Sequence, residues 1–412
     1  MLSCYKILDL TDDKGSLCGK TMADLGADVI KIEKPGGDTS RNKGPFYKDE
    51  VHPEKSLSWF AFNINKRSIT LDIQTADGQD IFNKLVRKAD VVIESFNPGF
   101  MDRLGLGYKD LNEINPEIVM TSITGFGQEG PYKNFKASDI VLWALSGMMY
   151  ITGDPDRPPL APSYPHSYLF ACVQGAVGTM LALFHRSITG KGQHVDVSAQ
   201  MSLVWPTSPD VTGLYDITGQ IPKRESRVRV QPFTGLSMPV IWSCKDGEVG
   251  YAFMIGPGLI EGNKALAEWI ESEDTSVEIF KRIDWQTLTP LDVSKEMGEA
   301  ITVAIENFFQ NHTKAELFDG SMKRNIRLYP ALKPLDTLKF EQLRSRNFWI
   351  DIEHEELGKT IPYPGDFVKS TERNNTLRRR PPLIGEHNKE IYHEEMGLSL
   401  DDLISLKNAG II

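Results

Sequence analysis

Residues 5–33 read YKILDLTDDKGSLCGKTMADLGADVIKIE, and the succession of element types in this stretch decides the fold class. Residues 5–10 are a short apolar run of strand length. Residues 16–25 carry helical spacing, and 27–33 return to strand before Pro35-Gly36-Gly37 stops them. Working outward, 68–73 (SITLDI) alternates with period two, 78–88 predicts a helix and 90–94 (DVVIE) a strand. A helix at 109–114 and a strand at 118–123 (IVMTSI) follow. Parallel neighbours need a long crossover, and a helix is the compact way to make one. The expected fold is α/β, with a Rossmann-like parallel sheet.

Beyond Phe126 the rhythm changes. Helices are expected at 138–149 and 168–187, and a strand at 194–198. From about 225 to 330, short apolar runs (LSMPVIWSC, EVGYAFMI) mix with amphipathic segments at 277–283 and 295–309, which predicts a smaller α+β domain. Arg378-Arg379-Arg380-Pro381-Pro382 marks a loop before a C-terminal helix ending at Ala409-Gly410. The most apolar run, 169–184, contains Gln174 and ends at His185-Arg186; it reads as a buried helix, too short to span a bilayer. MLSCYKILDL has neither a basic region nor a long apolar core, so no signal peptide is expected and the cytoplasm is the expected compartment.

Composition excludes several functions. The 412 residues carry 46 Lys and Arg against 56 acids, a formal charge of −10. Non-specific nucleic-acid binding needs clustered cations and is not expected; an anionic ligand needs a local basic pocket. Cys4, Cys18, Cys172 and Cys244 lie far apart in sequence, with no CxxC pair, so neither zinc nor a disulfide framework is expected.

Several motifs read as decoys. Gly125-Phe-Gly127-Gln-Glu-Gly130 matches G-x-G-x-x-G after a strand, but Pro131 follows where a helix would have to open onto a pyrophosphate. It reads as a turn. His194-Val-Asp196 reads as strand rather than metal pair. Asp72 and Asp90 read as ordinary strand residues, and Lys66 and Lys136, taken alone, as solvated surface.

Longer strings go further. Residues 5–41 (YKILDLTDDKG… to …GGDTSR), SLSWFAFNINKRSITLDI, ADVVIESFNPGFMDRLGLGYKDL, NPEIVMTSITGFGQEGPY, SGMMYITGDPDRPP and TGKGQHVDVS resemble the family III CoA-transferases, which include formyl-CoA and carnitine CoA-transferases and α-methylacyl-CoA racemases. The tail PPLIGEHNKEIYHEEMGLSLDDLISLKNAGII resembles the family's C-terminal end, while 205–375 matches weakly. The resemblance implies an interlocked dimer of chains. Each would have a Rossmann-like large domain over 1–200, completed by 375–412, a small substrate-facing domain over 225–330, and linkers at 201–224 and 331–374. It also implies coenzyme A or an acyl-CoA as substrate, no metal, and a binding set of Lys14, Gly15, Lys34, Leu71, Asp72, Ile73, Gln74, Ser95, Phe96, Asn97, Arg103, Lys136 and Ala137. Trp205, Phe253 and Trp349 are possible liners for an aromatic acid, with core packing the expected role of each.

The family's transferases use an aspartate that attacks the thioester to form a mixed anhydride. Carrying its position over lands on Tyr168, and no acidic residue lies between Asp156 and Asp196. The resemblance therefore implies a non-catalytic subunit paired with an aspartate-bearing homologue, as in a benzylsuccinate CoA-transferase-like heteromer that draws on an acyl-CoA such as succinyl-CoA. The alternatives are a homodimer using His166 or Tyr168, a racemase or isomerase relative, and a CoA-binding protein without activity. The racemase pattern has histidine before the aspartate that matches Asp139, and here that residue is Ser138.

Overall fold

β1 (Lys6–Asp9) lies inside a six-stranded sheet of order β3-β2-β1-β4-β5-β6, formed with β2 (Asp28–Glu33), β3 (Arg67–Thr70), β4 (Val91–Glu94), β5 (Val119–Thr124) and β6 (His194–Ser198). All five pairings are parallel. The computed structural model describes all residues except 207–214, 218, 220, 222, 231–234, 254–258, 275–276 and 373–376. Parts of the expected linkers and the end of the EVGYAFMI run lie outside the described residues. From β1 the chain steps outward to β2 and β3, then returns to place β4 on the other side of β1. Strand order therefore reverses between β1 and β4, and ligands of open α/β sheets bind at the carboxyl ends of strands at such a point.

The strand expected over 68–73 stops at Thr70, which puts Leu71 to Gln74 in the loop beyond it. Asp72 is thus not a strand residue, and its amide donates to the Ile411 carbonyl. Asp90 lies just before β4, where it accepts from the Lys6 amide at 2.7 Å and pairs with Arg186 at 2.8 Å. One sheet face is closed by Leu8, Ile30, Ile69, Phe82, Val92 and Met120 together with Tyr392 of the C-terminal segment. The Tyr392 hydroxyl donates to the Thr70 carbonyl at 2.7 Å, fastening that segment to the edge strand.

On the other face lie α1 (Ser16–Asp24) and the long helix Ser167–Thr189, which exceeds the expected 168–187. At 23 residues with a mean hydropathy of 1.6 over its most apolar stretch, it is long and apolar enough to cross a membrane by length and composition, which corrects the length inferred from 169–184. Its small residues Ala171, Gly175, Ala176, Thr179 and Ala182 are buried. Phe170, Val173, Val177, Leu181, Phe184 and Ile188 are exposed at spacings of three and four, forming one continuous apolar face.

Lys66 is not surface. It is fully buried, its ammonium donating to Asp9 Oδ2 at 2.8 Å, the Ser16 carbonyl at 2.8 Å and Asn63 Oδ1 at 2.9 Å. Lys31 of β2 is also fully buried, 3.8 Å from Asp9 Oδ1, and donates to the Thr11 carbonyl. Burial alone would raise the Asp9 pKa, but the charges of Lys66 and Lys31 outweigh it and hold the carboxylate below its ordinary range.

Two compact units divide the chain: residues 1–148, 161–220 and 341–412, and residues 149–160 with 221–340. Residues 149–160, expected in the large domain, group with the second unit. Within the expected linker 331–374, Trp349–His354 and Lys359–Pro364 form an antiparallel hairpin of the first unit, whose Tyr363 packs with Trp59, Phe60 and Ile64. The second unit has a three-stranded antiparallel sheet and the helices Ile260–Glu273, Lys295–Gln310 and Lys314–Arg324, around Trp242, Trp269, Ile301 and Phe309. Phe253 is core in this unit, and Trp349 is half-buried on the hairpin. Trp205 is 71% exposed, which corrects the core role expected of it.

Lys66→Met strands Asp9 beside a weaker, more distant partner. It should lower stability by about 3–5 kcal/mol, read from the chemical-denaturation midpoint, the size typical of breaking a buried ion pair.

Candidate functional site

The loops after β1 and β4 meet at the strand-order reversal. The Ser95 hydroxyl donates to Asp12 Oδ1 at 2.7 Å and accepts from the Asp12 amide at 2.9 Å. The Lys14 ammonium donates to the Ser95 carbonyl at 3.0 Å and pairs with Asp12 at 3.1 Å. Gly15 is buried, and a Cβ there would collide with the Thr11 side chain, so the turn into α1 needs the missing side chain. Beside these loops lies a cavity of about 290 Å³, lined by Lys34, Leu71, Asp72, Ile73, Gln74 and Phe96, with Leu10, Ile32, Asp38 and Phe100. The rings of Phe96 and Phe100 lie 4.5 Å apart, and the exposed Arg103 guanidinium reaches to 6.0 Å from the Phe100 ring.

The structure thus gathers most of the expected ligand set. Apolar and aromatic residues line a slot of a size for a flat base, and Lys34 opens on it. Lys14 stands on the loop after β1 and Arg103 at the end of the short helix Phe100–Arg103, and the exposed Asn97 follows Phe96. Cations around an apolar slot suit a nucleotide bearing phosphates.

Lys136 and Ala137 fall elsewhere. Lys136 is exposed, and Ala137 sits beside Tyr168, whose hydroxyl donates to the Ala137 carbonyl at 3.1 Å. The helix after Ala137 begins at Asp139, whose Oδ1 accepts from the Ser167 amide at 2.8 Å and the Ser167 hydroxyl at 2.5 Å. Asp139 therefore fixes the first turn of Ser167–Thr189. Gly125 of the G-x-G-x-x-G string lies under this corner. A Cβ there would collide with that of Ala137 and lie 3.3 Å from the Tyr168 hydroxyl, so this glycine serves close packing rather than a pyrophosphate. Gly127 has φ +90 and precedes Gln128, whose amide donates to Asp196 at 2.9 Å, giving the aspartate of the His194-Val-Asp196 run a turn-holding role.

A second cavity, of about 320 Å³, holds Tyr168, Asp139, Asp13, Lys43, Trp59 and Tyr164 in its lining. Lys43 and Asp13 pair across it at 2.6 Å. Burial, with the neighbouring charges of Asp12, Asp13 and Asp139, pushes the Tyr168 phenol well above its ordinary value. A phenol held protonated and bonded to a carbonyl is a poor nucleophile. His166 is the residue before the first turn, its ring against Tyr164 at 5.7 Å. Among the described residues no group of three or more His, Cys, Asp or Glu is disposed to hold a metal.

Sequence reasoning did not assign a place in the site to Asp139, Asp13 or Trp59. Asp139 is 28 residues from its partner Ser167, and no local spacing signals such a contact.

The site now has relatives to be compared with. Residues 2–388 match the family described as CoA-transferase family III. The chain is 32% identical over 401 residues to the succinyl-CoA:(R)-benzylsuccinate CoA-transferase subunit BbsE of Thauera aromatica, covering 95% of this chain and 93% of that one. It is 30% identical over 432 residues to a formyl-CoA:oxalate CoA-transferase of Streptomyces coelicolor, covering 100% of this chain and 99% of that one. The crystal structure of a CAIB/BAIF family protein from Brucella suis superposes with a TM-score of 0.79 at 29% identity, covering 95% and 98% of the two chains. Together with an α/β sheet whose strand ends carry a cation-rimmed apolar slot, these matches place the chain in CoA-transferase family III, whose general activity is the transfer of CoA between an acyl-CoA and a carboxylic acid.

Proposed function

We propose that this chain is the aspartate-less subunit of a two-chain CoA-transferase, working in the cytoplasm with an aspartate-bearing homologue. The pair moves CoA from an acyl-CoA such as succinyl-CoA to a carboxylic acid. The observation that carries this reading is the Tyr168 corner: where a carboxylate would attack the thioester stands a phenol, kept protonated and tied to the Ala137 carbonyl. An aryl ester would also hold less acyl-transfer potential than a mixed anhydride. The similarity to a protein named as a subunit of a benzylsuccinate enzyme supports the same reading.

The apolar face of the long helix supports a partner chain. Phe170, Val173, Val177, Leu181, Phe184 and Ile188, with Met201 and Trp205 further along, would otherwise leave large side chains in water. The interlocked arrangement of the family would cover such a face. In this reading residues 225–330 face the acid, and Lys14, Gly15, Lys34, Leu71 to Gln74, Ser95 to Asn97 and Arg103 hold CoA. Lys136 and Ala137 approach the thioester end.

In the pair, the partner's aspartate takes the acyl group and expels CoA thiolate. The incoming carboxylate attacks the aspartyl carbonyl of that anhydride and expels the donor's carboxylate, leaving an anhydride between the aspartate and the incoming acid. The CoA thiolate then attacks the incoming acid's acyl carbonyl, forming the new thioester and releasing the aspartate. This chain's residues would position CoA and close the complex without forming a bond to the acyl group.

A second reading has one observation behind it. Asp139 lines the same cavity as Tyr168, and both its hydrogen bonds fall on Oδ1, so a homodimer could use the Oδ2 edge as the attacking carboxylate.

Purification of the tagged chain from its native host should recover a homologue of similar mass in a one-to-one ratio, carrying aspartate at the position of Tyr168. Trapping with succinyl-CoA and hydroxylamine, read by mass spectrometry, should mark that partner and leave this chain unmodified. A hydroxamate on Asp139 would establish the second reading. Tyr168→Phe should leave turnover of the complex within about twofold while costing about 1 kcal/mol of stability from the lost hydrogen bond. A large loss of turnover would sink the non-catalytic assignment.

A further inference from the structure

Glu94 closes β4 directly before the Ser95-Phe96-Asn97 turn and is only 3% exposed. Its Oε2 accepts the Phe96 amide at 2.7 Å, and Ser122 on β5 is its register partner. Ser122 lies 2.9 Å from His194 Nε2 on the edge strand β6, where the imidazole stacks on Tyr108 at 5.7 Å and 14°. Polar residues therefore stand side by side on three strands, from the Phe96 turn to the sheet edge.

We propose that Glu94 is a positioning residue for CoA, holding the Phe96 turn in its binding shape through the Phe96 amide. This rests on the reading that CoA binds at this slot.

The argument is one of geometry and charge. Ser95 is already fixed by Asp12 and Lys14 on the β1 loop. Phe96, the residue that lines the slot, is held by Glu94. An ionised carboxylate grips an amide more strongly than a neutral acid does. Burial raises the Glu94 pKa to about 7, Asp102 on the following helix adds to the rise, and Ser122, the Phe96 amide and Lys14 oppose it. On the sheet edge, desolvation lowers the His194 pKa while Asp196 and Asp102 oppose it. With Glu94 ionised, the Phe96 amide has a charged acceptor; with Glu94 protonated, it keeps only a neutral one. The sign follows: as pH rises through the Glu94 pKa the turn tightens and CoA affinity increases.

The test is calorimetric titration of the purified full-length chain, with its co-purifying partner where there is one, with free CoA at about pH 6 and about pH 8, either side of the Glu94 pKa. The 3′-phosphate of CoA also titrates here, equally for every variant, so the informative quantity is the difference between proteins. Wild type should gain about fivefold more affinity than Glu94→Gln between the two pH values, because only wild type can form the charge-assisted bond. Glu94→Gln should keep a dissociation constant near that of wild type at the lower pH. Parallel pH profiles overturn the proposal. Should Glu94→Gln fail to fold, Asp102→Asn gives the second measurement. It removes a charge that raises the Glu94 pKa, so the midpoint must move to lower pH, and an unmoved midpoint overturns the proposal. Absence of CoA binding by wild type at both pH values instead overturns the site assignment itself.

Discussion

The buried charge group at the carboxyl end of β1 organises the first unit. Asp9 ends the strand, and Lys66 reaches it from the residue before β3 while also holding the Ser16 carbonyl of α1 and Asn63 of the helix Leu57–Asn63. Asp9 further accepts from the amide and hydroxyl of Thr11, and Lys31 takes the Thr11 carbonyl. Ions removed from water are tolerable only when each is paired and fully hydrogen-bonded, so these elements have little freedom to shift separately. The Thr11 turn directs Asp12 and Lys14 toward Ser95, and the candidate ligand loop inherits its shape from there. Gly19 packs against this group as well: a Cβ there would strike Asp9 and approach the Lys66 ammonium at 3.3 Å.

A second constraint sits at the other end of the site. The first turn of Ser167–Thr189 is fixed by Asp139 through Ser167, and the Tyr168 hydroxyl is held by the Ala137 carbonyl, so this corner is tied by bonds beyond its own helix. The same helix turns small residues inward and large apolar ones outward.

Much of the α/β unit was legible in the sequence. The apolar, strand-like runs at 5–10, 27–33 and 118–123 became strands because their residues are buried on both sheet faces, as a parallel sheet demands. The strand over 68–73 was read too long: after Thr70 the chain bends to meet the C-terminal residues, and a partner so distant in sequence leaves no local trace. Lys66 was misread for the same reason, since a lysine looks identical in sequence whether it faces water or a buried carboxylate. The helix expected over 168–187 runs on to Thr189, where Gly190 in the left-handed region ends it.

Local periodicity and the family's strings, by themselves, determined the α/β class, the candidate CoA residues and the absence of a carboxylate at position 168. These are properties of residues taken singly or within one turn or strand of each other. Only the tertiary structure decided which of those residues share a cavity, that Asp139 clamps Ser167, and that Ser122 meets His194 across neighbouring strands. The physical reason is common to all three. Each depends on strands and helices far apart in sequence meeting at one end of the sheet, and on burial that changes the chemistry of a carboxylate or phenol without changing its name.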